Sequence, residues 1–236
     1  MSPPMTALYD TIGIDYAKLR RPDPRIAQQI HAALGDAKSV LNVGAGSGSY
    51  EPEGVALTAI EPSAEMIAQR PASDAIALQG SAEALPFADQ SFDASMAALT
   101  IHHWSDQAKG CAEMRRVTRG PMVFLTFDAG HKDFWLFDYF PALLTLDEAA
   151  MPPMQRYADW LGDVAIDPLP IPHDCTDGFL AAYWRRPGAY LDERIRRAMS
   201  SFWKIGDVSA GLLQLQSDLS DGSWERRYGH LLGLDA

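Results

Sequence analysis

The stretch Ser39-Val40-Leu41-Asn42-Val43-Gly44-Ala45-Gly46-Ser47-Gly48 constrains this chain more than any other. A short apolar run, the pattern of a strand buried on both faces, breaks at once into three alternating glycines. Lacking a Cβ, Gly44, Gly46 and Gly48 let the main chain turn sharply and come within contact distance of a ligand. A second strand pattern, 56–61, ends in Glu61, seventeen positions after Gly44. A carboxylate at such a strand end can hold both hydroxyls of a ribose. The place of the third small residue in a dinucleotide fingerprint is taken by Ser49, which argues against a diphosphate at a helix N-terminus.

Only residues 49–55 connect these strands, with Pro52 and Gly54 among them. That is too short for the usual three-turn crossover helix, so one turn or none is expected. A helix is expected over 25–34, stopped by Gly35. Ser63 can cap a short helix over 64–70, ended by Pro71. Strands over 75–79, 92–99 and 121–127 alternate with these and with a helix over 105–118. Alternation of this kind specifies an α/β fold, a doubly wound, mostly parallel sheet with its ligands at the carboxyl ends of the strands. Gly44 to Gly48, Glu61, Ser81-Ala82 and His102-His103 all fall on that edge.

Beyond residue 128 the pattern changes. Phe134, Trp135, Phe137, Tyr139 and Phe140 crowd together before a mostly helical, proline-punctuated remainder. The cluster reads as a cover over the ligand edge, either a substrate-facing lid or ordinary core. A sixth strand is expected at 164–166, and helices around 177–185, 190–200 and 208–219. Prolines 168, 170 and 172 rule out a helix there.

With 236 residues, 47% of them hydrophobic, one substantial core is the expectation. We therefore expect a single domain: an N-terminal helical cover over 1–38, a core over 39–128, and a cover with the remaining sheet over 129–236. A net charge of −11 opposes nucleic acid and anionic membranes as partners. The two cysteines, Cys111 and Cys175, are too few for a disulfide framework, and His173-Asp174-Cys175 lacks the spacing of a metal site, so no metal is expected. With no apolar leader and no long apolar span, a soluble, cytoplasmic protein, monomer or homodimer, is expected.

Taken in order, VLNVGAGSG, AIEPSAEM, GSAEALPFADQSFD and LTIHHW resemble the class I S-adenosylmethionine-dependent methyltransferases of the type 11 kind. The resemblance implies their Rossmann-like fold, S-adenosylmethionine as cofactor with S-adenosylhomocysteine as product, and methyl transfer to oxygen, nitrogen or carbon of a small-molecule acceptor. It implies that Gly44, Ala45, Gly46 and Gly48 lie against the methionine part and ribose of the cofactor and that Glu61 takes the ribose hydroxyls. Ser81, Ala82 and Glu83 stand where the family contacts adenine, with Met66 or Pro62 over the ring. Two departures stand out: Ser81 where the family usually has Asp, and Asn42 where it commonly carries Asp or Glu near the cofactor's ammonium. An amide oxygen can still accept a hydrogen bond there, without the ion-pair component. The segments DYFPAL, PIPHDCTDGFLAAYWRRPGAYLD and SDLSDGSWERRYGHLL are similar to an uncharacterised bacterial branch of the family, in which a final antiparallel strand would follow Ala236.

In-line methyl transfer asks the protein to align the acceptor, exclude water and, where needed, remove a proton. His102 and His103 at the exit of the fourth strand are the candidate bases, one of them facing the acceptor. The plainer alternative is that His102-His103-Trp104 only packs that exit. Tyr9, Tyr16 and Arg20 are candidates to close over the cofactor, Arg20 reaching its carboxylate and the phenols, Tyr16 as a catalytic candidate, lining the acceptor pocket. If the aromatic cluster is a lid, the acceptor is partly apolar or aromatic. Two other classes compete: a binding or regulatory protein that keeps the fold without catalysis, and a nicotinamide oxidoreductase.

Overall fold

The computed structural model describes residues 20–236; Tyr9 and Tyr16 lie outside them. Five strands, β1 (Ser39–Val43), β2 (Ala56–Glu61), β3 (Ile76–Gln79), β4 (Ala94–Ala98) and β5 (Met122–Leu125), form one all-parallel sheet in the order β3-β2-β1-β4-β5. This is the doubly wound architecture the alternation predicts, and β1 sits centrally, with Val43 beside Ile60 and Asn42 beside Met96.

The two faces of β1 are covered by different helices. On one, α1 (Pro24–Leu34) packs Ile26, Ile30 and Leu34 against Val40, Leu57 and Met96. On the other, Met114 and Val117 of α3 (Gln107–Val117) meet Leu41, Val43 and Ile60. The apolar run Val40, Leu41 and Val43 of β1 follows from this double coverage. Asp23 caps α1, accepting from the Arg25 amide at 3.0 Å, and Pro24 fills the first turn, where its missing N–H costs nothing. The short α2 (Ala64–Ala68) begins at Ser63, whose Oγ accepts from the Met66 amide. Between β1 and β2 the chain makes turns only, as the length of the connection predicts.

The second half does not build more sheet. Residues 164–166 form no strand: Ile166 is exposed and the prolines that follow remove ladder donors. Instead α4 (Leu136–Tyr139), α5 (Pro141–Ala150), α7 (Glu193–Arg197), α8 (Ser200–Lys204), α9 (Ser209–Ser220) and α10 (Ser223–Tyr228) build a helical cap, while α6 (Met154–Leu161) packs Tyr157 and Leu161 beside α3 and against Phe124 of β5. The helices expected over 177–185 and 190–200 are shorter, because Pro187 and Gly188 split the region into single 3₁₀ turns and the five-residue α7. Trp135, Tyr139 and Phe140 are buried with Tyr190, Phe202 and Trp224. Trp135 stacks edge-to-face on Trp224 at 5.4 Å and donates its indole N–H to the Trp184 carbonyl at 2.7 Å. The aromatic cluster is thus the cap's own core and not a mobile cover; buried rings of this kind dominate the energetics of small cores. Among the described residues no helix is long and apolar enough to cross a membrane.

Candidate active site

At the carboxyl edge, the amides of Gly44 and Ala45 both donate to the Ile60 carbonyl, at 2.8 and 3.0 Å, which turns the chain back over the end of β2. Gly44, Gly46 and Gly48 have φ of +69°, +52° and +94°. At Gly44 a Cβ would stand 2.0 Å from Thr100 Oγ1, so the bend also lies hard against the exit of β4. Glu61 is buried beside it: its carboxylate accepts from the Gly46 amide at 2.8 Å and the Ser63 amide at 2.9 Å. Burial pushes this carboxyl up and the two backbone donors oppose it. The glycine bend and the carboxylate expected to work with it are therefore in contact.

Asn42 lies on the α1 face of β1, donates its amide to Glu51 Oε1 at 2.9 Å, and keeps a buried Oδ1 with no hydrogen-bond partner among the described residues. Glu51 also binds the Arg70 guanidinium at 2.7 Å. The carboxylate missing at position 42 is thus present one side chain away, supplied by the short β1–β2 connection. An unsatisfied acceptor beside a bare-backbone bend fits a ligand carrying an ammonium. Met66 is buried with its methyl group beneath Gly46, whereas Pro62 and Ser81 are exposed and Ala82 is buried against α3. Glu83 is turned to a structural use. Its Oε1 accepts from the amides of Ser105 and Asp106 and the Ser105 hydroxyl, between 2.7 and 3.1 Å, tying the loop after β3 to the start of α3. Arg20 is engaged by the wholly buried Asp177 at 2.6 Å, and Tyr50, just past the glycines, donates to the same carboxylate at 2.7 Å.

His102 and His103 occupy a 3₁₀ turn, Ile101–His103, after β4. The turn sets their rings 3.9 Å apart and both line one small cavity, so they do not diverge as strand residues would. Burial, helped by the charges of Lys204 and Arg20, pushes His102 down to about 3, and His103 also lies well below its ordinary value. Both rings are neutral at physiological pH. Trp104 is packed over Gly110 of α3, leaving no room for a Cβ there. Sequence reasoning missed Thr100, Leu99 with its strained φ of +54°, and Asp147 of α5, which also borders the cavity. A Leu in an apolar run and an Asp in a helix carry no local signal of such a role.

The fold and this edge together define a class I S-adenosylmethionine-dependent methyltransferase. A methyltransferase domain model matches residues 41–124. A crystal structure from Anabaena variabilis, assigned as a methyltransferase of an antibiotic biosynthesis pathway, is 35% identical, with 92% of this chain and 94% of that one aligned at a TM-score of 0.87. Among curated proteins, a rice chloroplastic 2-methyl-6-phytyl-1,4-hydroquinone methyltransferase is 30% identical over 51% of this chain and 36% of its own length. The malonyl-[acyl-carrier protein] O-methyltransferase of Erwinia pyrifoliae is 36% identical over 42% of this chain and 41% of its own. The chain thus spans about two-fifths of these curated relatives and nearly all of the Anabaena protein. It belongs to the S-adenosylmethionine-dependent methyltransferase family.

Proposed function

We propose that this protein transfers a methyl group from S-adenosylmethionine to a small-molecule acceptor bound at the exit of β4. The observation that carries the reading is the contact between Glu61 and the glycine bend, which puts a buried carboxylate and bare backbone together at one strand edge. When bound, the cofactor supplies an electrophilic methyl on a sulfonium. Gly44, Ala45, Gly46 and Gly48 provide backbone close enough to lie against it, and Glu61 has lone pairs left for ribose hydroxyls. The buried Oδ1 of Asn42, backed by Glu51, suits the ammonium. Ala82, Ser81 and Met66 bound the adenine side, with Pro62 at its rim and Glu83 holding the loop in place.

His102 and His103 orient the acceptor. A neutral imidazole accepts a hydrogen bond from an O–H or N–H and fixes its lone pair toward the methyl group, a contribution of geometry more than of basicity. Leu99 and the aromatic pair Phe127 and Phe179, 6.0 Å apart, favour an acceptor with an apolar body.

Calorimetry with S-adenosylhomocysteine tests the reading. Binding to the wild type is expected, with Glu61→Gln weakening it by about 1–3 kcal/mol, the cost of a charge-assisted hydrogen bond. Absence of binding to the wild-type protein would refute the assignment.

A further inference from the structure

The cavity at the β4 exit contains one acidic group that the cofactor does not need. Asp147 projects from α5 in the cap, and the Gln107 side chain ties that helix to the histidine turn, donating to the Ile101 carbonyl at 3.3 Å and to the Ala150 carbonyl at 3.1 Å. The cap therefore delivers a carboxyl to the wall facing His102 and His103.

Among the described residues no hydrogen bond or ion pair engages the Asp147 carboxylate. Its surroundings do not explain it either. His102 and His103 are neutral, Arg20 is engaged by Asp177, and Ser200 and Ser201 face the cavity from α8 without charge. Lys204 of α8 bears on His102 and His103 but, among the described residues, makes no ion pair with Asp147, and Glu148 beside Asp147 is bound to Lys132 on the surface. A carboxylate without a counter-ion in a desolvated pocket is costly unless a ligand supplies the charge. The cavity measures about 50 Å³, room for the reactive end of an acceptor and no more.

We propose that Asp147 is the acceptor-binding and proton-accepting residue of this site, and that the acceptor is a small-molecule amine carried on an apolar body. The inference rests on the methyl-transfer reading above. The amine enters as an ammonium paired with Asp147. Its proton passes to the carboxylate, giving a neutral amine and a carboxylic acid. The freed lone pair then forms the N–C bond as the C–S bond breaks, the electron pair leaves on sulfur, and the positive charge moves from sulfur to nitrogen. Burial pushes the Asp147 carboxyl up to about 6, which makes it a better proton acceptor than an ordinary carboxylate. A carboxylate acceptor would instead meet a like charge.

The test uses the full chain saturated with S-adenosylhomocysteine and two probes, 2-phenylethylamine and benzoate, by calorimetry at pH 7.5. The amine is expected to bind the wild type, to bind Asp147→Asn at least tenfold more weakly, and to bind the control Glu148→Gln as it binds the wild type. Amine binding is expected to fall below about pH 6 in the wild type only, a dependence that a merely structural aspartate would not produce. Benzoate is expected not to bind the wild type. Unchanged S-adenosylhomocysteine affinity in Asp147→Asn shows that the variant is folded. The proposal is overturned if benzoate binds as tightly as the amine, if Asp147→Asn changes amine affinity less than twofold, or if neither probe binds while S-adenosylhomocysteine does. Failure of S-adenosylhomocysteine itself to bind refutes the underlying reading instead.

Discussion

Replacing Gly44 by alanine tests how the glycine bend is built. The φ of +69° at Gly44 lies in the left-handed region, where a Cβ costs roughly 1–2 kcal/mol. That Cβ would also stand 2.0 Å from Thr100 Oγ1 and 2.9 Å from both Thr100 Cβ and Cγ2, closer than atoms approach without movement. Both residues are held by strand ends, so the overlap is relieved only by backbone shifts, a cost of about 1–3 kcal/mol. Together Gly44→Ala should destabilise by about 2–5 kcal/mol, which for a domain of this size lowers Tm by roughly 4–20 °C. Thermal unfolding with and without S-adenosylhomocysteine measures this, and ligand stabilisation should shrink with it, because the Gly44 and Ala45 amides that fix the bend on Ile60 are displaced. Adding Thr100→Gly removes the overlap and leaves only the dihedral cost, so the double variant should recover about 1–3 kcal/mol of coupling. Gly44→Ala unfolding within 1 °C of wild type, or a double variant no better than the sum of its parts, would refute the geometry.

Asp177→Asn removes the buried carboxylate that Arg20 and Tyr50 share, and should cost about 3–5 kcal/mol in urea unfolding. His102 has a depressed folded pKa, so below about pH 6.5 the unfolded state gains a proton that the folded state refuses until about pH 3. Stability should therefore fall with acidification across that window by up to about 1.4 kcal/mol per pH unit, and His102→Asn should flatten the slope. Asn42→Asp places a second carboxylate against Glu51 and should lower Tm at pH 7, with Glu51→Gln restoring it; an additive double variant would show that the two side chains do not meet.

Much of the sheet's carboxyl edge was legible from local pattern. The apolar run of β1, the glycines, the acid closing β2 and the Ser63 cap are each dictated by neighbours in sequence, and strands alternating with helices leave few ways to assemble a parallel sheet. Short-range signals failed where the partner is distant. Asn42 reads as a lost charge until Glu51 is seen beside it, Arg20 meets Asp177 across 157 positions, and a 3₁₀ turn past the exit of β4 brings both His102 and His103 to one cavity, where only one of them was expected to face the acceptor.

The amino-acid order determined the sheet, its ligand edge and the family, because periodicity and backbone permission are properties of consecutive residues. Tertiary structure alone decided what stands opposite that edge. The aromatic cluster became the core of a cap and not a lid, and that cap carries Asp147 to a cavity whose other walls come from residues 20, 99, 102–103, 127, 151, 179–180 and 199–201. No local pattern encodes such a meeting, since it is fixed by how the second half packs over the sheet and not by the propensities of either part.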